Sequence, residues 1–188
     1  CCLCLGKLQR NQECFIFVKL AQTKFFHLTE NLEEANKLVD YKSAYLANMS
    51  YDIRTFGDPV LKTCAAEITN IDAKLVKLAD EMLAVMYDAP GLGLAAPQIG
   101  VQKQLFVYDV DDSPQVLINP KIVESSGEWV YDEGCLSIPG LYVEMLRPKL
   151  VLVEATNLEG NTIQIEADEL LARLFQHEID HLQGVLMF

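Results

Sequence analysis

Two of the chain's three histidines fall in one six-residue stretch, Gln176-His177-Glu178-Ile179-Asp180-His181, and that spacing asks for a helix. On a helix, positions i and i+4 lie one above the other. Two imidazoles so placed can grip one cation while Glu178 sits beside its open coordination position, the layout of a metal-dependent hydrolase. An ordinary amphipathic helix can also distribute its polar residues this way, so the stretch needs company before it names a chemistry. The apolar positions Leu170, Leu171, Leu174, Phe175, Ile179 and Leu182 support the helix, which starts near Asp168 and closes at Gly184.

Upstream, Leu75, Val76, Ala79, Met82, Leu83 and Met86 recur at three- and four-residue steps, with Asp72 as N-cap and Pro90-Gly91 as the stop. Between the two helices lie short apolar runs at 105–108, 116–118, 150–153 and 162–165. Turn signals at 111–114, Asn119-Pro120 and 159–161 separate them. Most connections are too short for helical crossovers, so the strands should pair mainly antiparallel. The fold class read from this pattern is α+β: short, mainly antiparallel strands around a C-terminal metal-binding helix carrying HExxH.

The chain has 188 residues, enough for one domain with a real core and a small appendage. Its formal charge of −12 is uneven: residues 1–48 carry net +1 and the remainder net −13. An acidic body repels phosphate backbones, which disfavours nucleic acid as a direct partner. Four of six cysteines crowd into the first fourteen positions, leaving Cys64 and Cys135 for the body, so a disulfide-stapled scaffold does not fit. The apolar run from Cys14 to Ala21 is far shorter than the roughly 20 residues a membrane span requires, and no membrane partner is expected. The first methionine is Met49, and a boundary is placed there. Residues 1–48 form an extension with a strand-like run at 15–18 and a possible helix capped by Asn31 and Glu34. Its role is open between an accessory segment, a targeting remnant and non-native sequence.

A catalytic site of the HExxH kind needs a third protein ligand, and Cys135 in Glu133-Gly134-Cys135-Leu136-Ser137 is the best candidate, against the alternative of an inert core thiol. A third constellation, Gly91-Leu92-Gly93-Leu94-Ala95-Ala96-Pro97-Gln98, combines small residues that admit an extended peptide with an amide able to donate to an oxyanion. It lacks the spacing of a dinucleotide loop, and by itself reads equally well as a flexible connection. Arg147 is expected to pair with Glu133 and steady the Cys135 loop.

Taken in order, the motifs at 91–98, 133–137 and 176–181 closely resemble those of the peptide deformylases, GxGxAAxQ, EGCLS and QHExDH, over about residues 49–188. The resemblance implies removal of the formyl group from the N-terminal formylmethionine of nascent polypeptides at the ribosome, releasing formate. It assigns one divalent metal ion per chain, Fe(II) by preference with Zn, Ni or Co accepted, to Cys135, His177 and His181. By the same resemblance Glu178 is the base, while the Gln98 side chain and the Leu136 backbone N–H meet the oxyanion. Substrate would lie against Gly91, Leu92, Gly93, Tyr131, Glu133, Gly134, Arg173 and Leu174, with Leu171 nearby. Arg173 contributes only its methylene stem to an apolar wall.

Two features depart from the family pattern: the extension 1–48, and an end at Phe188, seven residues past His181, where relatives usually continue. Another HExxH protease is disfavoured because those seven residues hold no His, Asp or Glu. A catalytically silent relative is disfavoured because a structural metal site needs neither Glu178 nor Gln98. Formyl-initiated translation places the protein in a bacterial cytoplasm, or in an organelle if residues 1–48 are a targeting remnant.

Overall fold

The computed structural model describes residues 51–110 and 112–188. The strand-like run and capped helix expected within 1–48 lie outside the described residues. After a 3₁₀ turn at Pro59–Lys62, helix α1 spans Ala73–Asp88. Strand β1 (Gly93–Ala95) leads into a second 3₁₀ turn at Ala96–Ile99. Then follow β2 (Leu105–Val110), β3 (Ser113–Ser126), β4 (Trp129–Cys135), β5 (Ile138–Arg147), β6 (Leu150–Thr156), β7 (Thr162–Asp168) and helix α2 (Glu169–Leu182). Asp72 caps α1 as expected, its carboxylate accepting from the Lys74 and Leu75 amides at 3.0 and 2.9 Å.

The strands form two sheets, one of five strands in the order β1-β2-β3-β6-β7 and a separate hairpin of β4 with β5. Every pairing within them is antiparallel; β2–β3, β4–β5 and β6–β7 follow short connections, whereas β3 and β6 pair across the intervening hairpin. Because successive strand residues point to opposite faces, Phe106 and Tyr108 of β2 share one side, where they pack on Phe175 of α2 with ring centroids 5.8 and 5.0 Å apart. Val151, Val153, Ala172, Leu174, Ile179 and Leu182 complete this principal core. None of α1 belongs to that cluster; it packs against β1 and β2 and buries Leu75, Leu78, Ala79, Met82, Val85 and Met86. A smaller cluster under the hairpin joins Leu61, Cys135, Ile138, Leu186 and Met187.

One expected turn is absent. Asn119-Pro120 sits inside β3, which runs on for 14 residues with one register shift spanning the pair, between Ile118 and Lys121, and another just beyond, between Ile122 and Glu124. Asn119 takes a positive φ of 50°, and its side-chain amide grips the Ile68 backbone, accepting from its N–H at 2.9 Å and donating to its carbonyl at 2.8 Å. A residue tolerant of the left-handed region thus makes a bulge rather than a chain reversal. Strand β5 was not anticipated either, since its exposed face mixes Tyr142, Glu144 and Leu146 without clean alternation. No helix among the described residues is long and apolar enough to cross a membrane.

Candidate metal centre

Helix α2 buries ten of its fourteen residues, and the buried set includes Arg173, Gln176, His177, Glu178 and His181. An apolar stripe accounts for one side of such a helix; polar residues buried on the rest need partners or a ligand. The i, i+4 spacing stacks the two imidazoles with ring centroids 4.9 Å apart, and their Nε2 atoms face each other at 3.2 Å. Cys135, the last residue of β4, brings its Sγ to 3.1 Å from His181 Nε2. The three donor atoms lie within 4.8 Å of one another, and all three residues are buried.

This donor set fits a divalent transition metal. Metal–sulfur and metal–nitrogen bonds of about 2.3 and 2.0–2.1 Å at a tetrahedral centre place such donors roughly 3.3–3.6 Å apart, close to the separations seen here. Burial works against a charged His177, but hydrogen bonds with Cys135 and Glu133 overcome it and raise that imidazole to about 9. Burial, then the neighbouring His177 charge, pushes His181 well below its ordinary value.

Around the donors the chain is arranged in layers of hydrogen bonds. His177 Nδ1 meets Glu133 Oε2 at 3.0 Å, which fixes the ring with Nε2 facing the other donors. Arg147 pairs with Glu133 as the sequence suggested, through Nε to Oε1 at 2.5 Å and Nη2 to Oε2 at 3.0 Å. Burial alone would raise the Glu133 carboxyl, but hydrogen bonds from His177 and Arg147 outweigh it and hold it down at about 2. Glu133 and Asp180 in turn overcome the burial of Arg147 and raise its guanidinium.

Gln98 sits in the 3₁₀ turn after β1, fully buried. Its Oε1 accepts from the Ala95 amide at 2.8 Å, and that bond turns its Nε2 toward Ser137 Oγ at 3.2 Å and Cys135 Sγ at 3.7 Å. Its amide therefore holds the local loop and also faces the candidate site. Leu136 and Ser137 form the two-residue connection between β4 and β5, next to the sulfur donor. Glu178 is fully buried, and a Cβ added to Gly93 would stand 2.8 Å from its Oε1. Glycine at 93 is therefore what lets β1 approach the carboxylate.

Of the remaining expected residues, Gly91, Leu92 and Tyr131 are half-buried and Gly134 is buried. Tyr131 stacks on Trp129 at 4.7 Å. Leu174 is fully buried in the principal core, and Arg173, also fully buried, turns its guanidinium to Glu133 rather than leaving it in solvent. The sequence reading missed three participants. Asp180 accepts from Arg147 Nη1 at 2.8 Å, Gln176 donates to the Pro148 carbonyl at 3.0 Å, and Ser137 receives Gln98. Both α2 residues lie inside the motif itself, where two polar positions without an assigned task were the available signal.

A family model described as polypeptide deformylase matches residues 50–188. The chain belongs to the peptide deformylase family. The peptide deformylase of Clostridium botulinum is 50% identical over 135 residues, covering 72% of this chain and 92% of that protein. That of Rhizobium meliloti is 54% identical over 135 residues, covering 69% and 78%. Among solved structures, peptide deformylase from Thermotoga maritima superposes with a TM-score of 0.71 at 45% identity, covering 73% of this chain and 94% of that one. The span of the family model carries all three motifs.

Proposed function

We propose that residues 49–188 form the catalytic unit of a deformylase that hydrolyses the N-terminal formyl group of newly made, formylmethionine-initiated polypeptides and releases formate. The observation that carries this reading is the convergence of Cys135 Sγ, His177 Nε2 and His181 Nε2, with the buried Glu178 carboxylate on the same helix and the Gln98 amide alongside. A structural metal site would need only the first three. Cys135, His177 and His181 would hold one divalent cation, which when bound would supply a Lewis acid that makes water nucleophilic near neutral pH.

Each remaining step belongs to the chain. Glu178 takes the proton released at the attacking water and returns one to the departing amine, so that the peptide leaves with a free N-terminus. Gln98 Nε2 and the Leu136 N–H donate to the oxygen that gains charge as the formyl carbon becomes tetrahedral. The Gln98 donor is held in place beforehand by the Ala95 amide, so it loses little freedom during the reaction. The substrate backbone adds along β1, which stands at the edge of the five-stranded sheet, and meets the chain at Gly91, Leu92, Gly93 and Gly134. Leu92, Tyr131 and Leu171 keep part of their surface for the methionine side chain, with Leu174 behind them in the core.

Fe(II) is our choice of native ion, with Zn, Ni or Co accepted, and a thiolate on iron predicts activity that fades in air faster than in the Ni or Zn forms. Nascent chains at the ribosome are the proposed source of substrate, in a bacterial cytoplasm or an organelle. The test is formate release from formyl-Met-Ala-Ser by metal-loaded protein, with Glu178→Ala alongside. Turnover by the parent and a fall of about 10²–10⁴-fold in the variant, with metal retained, is the expected result. Absence of formate from folded, fully metallated parent would reject the reading.

A further inference from the structure

Arg173 is a poor wall residue and an expensive structural one. It is fully buried, and its guanidinium lies over Trp129 and Tyr131 with 5.0 and 5.8 Å to their ring centroids. Nη1 donates to Glu133 Oε1 at 2.6 Å and to the Met145 carbonyl at 3.2 Å; Nη2 donates to the Trp129 carbonyl at 2.6 Å. Its Nε is buried with no hydrogen-bond partner among the described residues. A buried cation with an unmatched donor is weak evidence of a contribution to stability, because desolvation offsets most of the ion-pair attraction.

What this guanidinium touches suggests a different task. Trp129 and Glu133 belong to β4, Met145 belongs to β5, and Arg173 itself stands on α2, one turn before His177. One side chain therefore joins both strands of the hairpin that delivers the sulfur donor to the helix that delivers both nitrogen donors. It also completes the coordination of Glu133. Oε1 accepts from Arg173 and Arg147, and Oε2 accepts from Arg147 and faces His177, so about all four lone-pair positions of the carboxylate are engaged. A carboxylate fixed in this way has one orientation, and it imposes that orientation on His177.

We propose that Arg173 is a positioning residue for the metal site, acting through Glu133 to hold His177 and the Cys135 hairpin in register with each other. This rests on the proposed function only in taking the Cys135, His177 and His181 triad as the metal site. The mechanism needs no contact between Arg173 and substrate or metal. Arg147 shares the task from the other side, through Glu133 and Asp180.

The test is titration of the full chain with Co(II), read as dissociation constant and as the thiolate-to-cobalt absorption band, for the parent, Cys135→Ser, Arg173→Met, Arg173→Lys, Glu133→Gln and the Glu133→Gln/Arg173→Met double variant. Loss of a hydrogen-bonded support of a metal ligand costs about 10–100-fold in affinity. Arg173→Met is therefore expected to weaken Co(II) by about tenfold or more and to alter the band, with Arg173→Lys recovering part of the loss. The double variant should bind no more weakly than Glu133→Gln alone, because the effect passes through that carboxylate. A packing role would instead give additive losses. Should Arg173→Met not fold, Arg173→Gln carries the same expectation. Parent-like affinity in the Arg173 variants, or additive losses, would overturn this proposal alone. A parent that shows no Cys135-dependent band would overturn the proposed function as well.

Discussion

The two sheets of this molecule are held by different forces. The five-stranded sheet is fastened to α2 by apolar packing: Phe106, Tyr108 and Phe175 meet ring to ring, and aliphatic side chains from β3, β6, β7 and α2 fill the space around them. The β4–β5 hairpin has only a small apolar cluster beneath it and exposes Val130, Leu141, Tyr142 and Leu146. It is fastened to the same helix by Glu133, Arg147, Arg173 and Asp180, through short ion pairs of which three members are almost wholly buried. The metal donors straddle the boundary. Both histidines ride on the apolar-packed helix and the cysteine rides on the ion-paired hairpin, so on the proposal above the ion cluster, whatever its share of stability, orients the triad.

Substitutions on the two sides should separate accordingly. Phe175→Ala, in the middle of the principal core, is expected to cost about 3–5 kcal/mol in urea unfolding while leaving Co(II) affinity of the folded fraction unchanged. Equal loss of metal affinity would break the distinction between the regions. Arg147→Ala leaves Glu133 with one guanidinium and is expected to cost about 3 kcal/mol, together with a 10–100-fold loss of metal affinity. Unchanged metal content and activity would remove the ion cluster from the account.

Gly184→Ala probes the junction, because Gly184 has φ of 72° and an added Cβ would meet the Lys62 backbone at 2.7 Å. Its expected cost is about 2 kcal/mol by denaturation, from left-handed strain plus displacement of the 3₁₀ turn. Gly93→Ala should be the mildest for stability, under about 1 kcal/mol, because the obstructing atom is the far end of the Glu178 side chain rather than backbone. Its effect on turnover should be larger, about 10²-fold, since a displaced base is a misplaced catalytic group. A variant with parent kcat would show that Glu178 can shift without consequence.

Legibility in the sequence follows the same division. Helix α1 announces itself by its apolar period, as in Leu75, Ala79, Met82 and Met86, and by the Asp72 cap, α2 by the spacing of its leucines with Phe175 and Ile179, and strands β2, β6 and β7 by short apolar runs between turn signals. The triad was legible from three motifs whose residue types are demanding. Strand β5 and the continuation of β3 through Asn119-Pro120 were not, since the first has weak alternation and the second depends on a side chain that grips Ile68, 51 residues away in sequence. The place of Arg173 was hidden for a related reason. A buried arginine is intelligible only beside its partners, and Glu133, Met145 and Trp129 stand 28 to 44 residues from it along the chain.

The most direct test of the account is X-ray absorption at the metal edge on the loaded protein and on Cys135→Ser. One sulfur at about 2.3 Å and two imidazole nitrogens at about 2.0–2.1 Å, with the sulfur lost in the variant, is the result predicted for a Zn(II) ion shared between hairpin and helix. A sulfur-free ion in the parent, or a sulfur signal unaffected by Cys135→Ser, would contradict it.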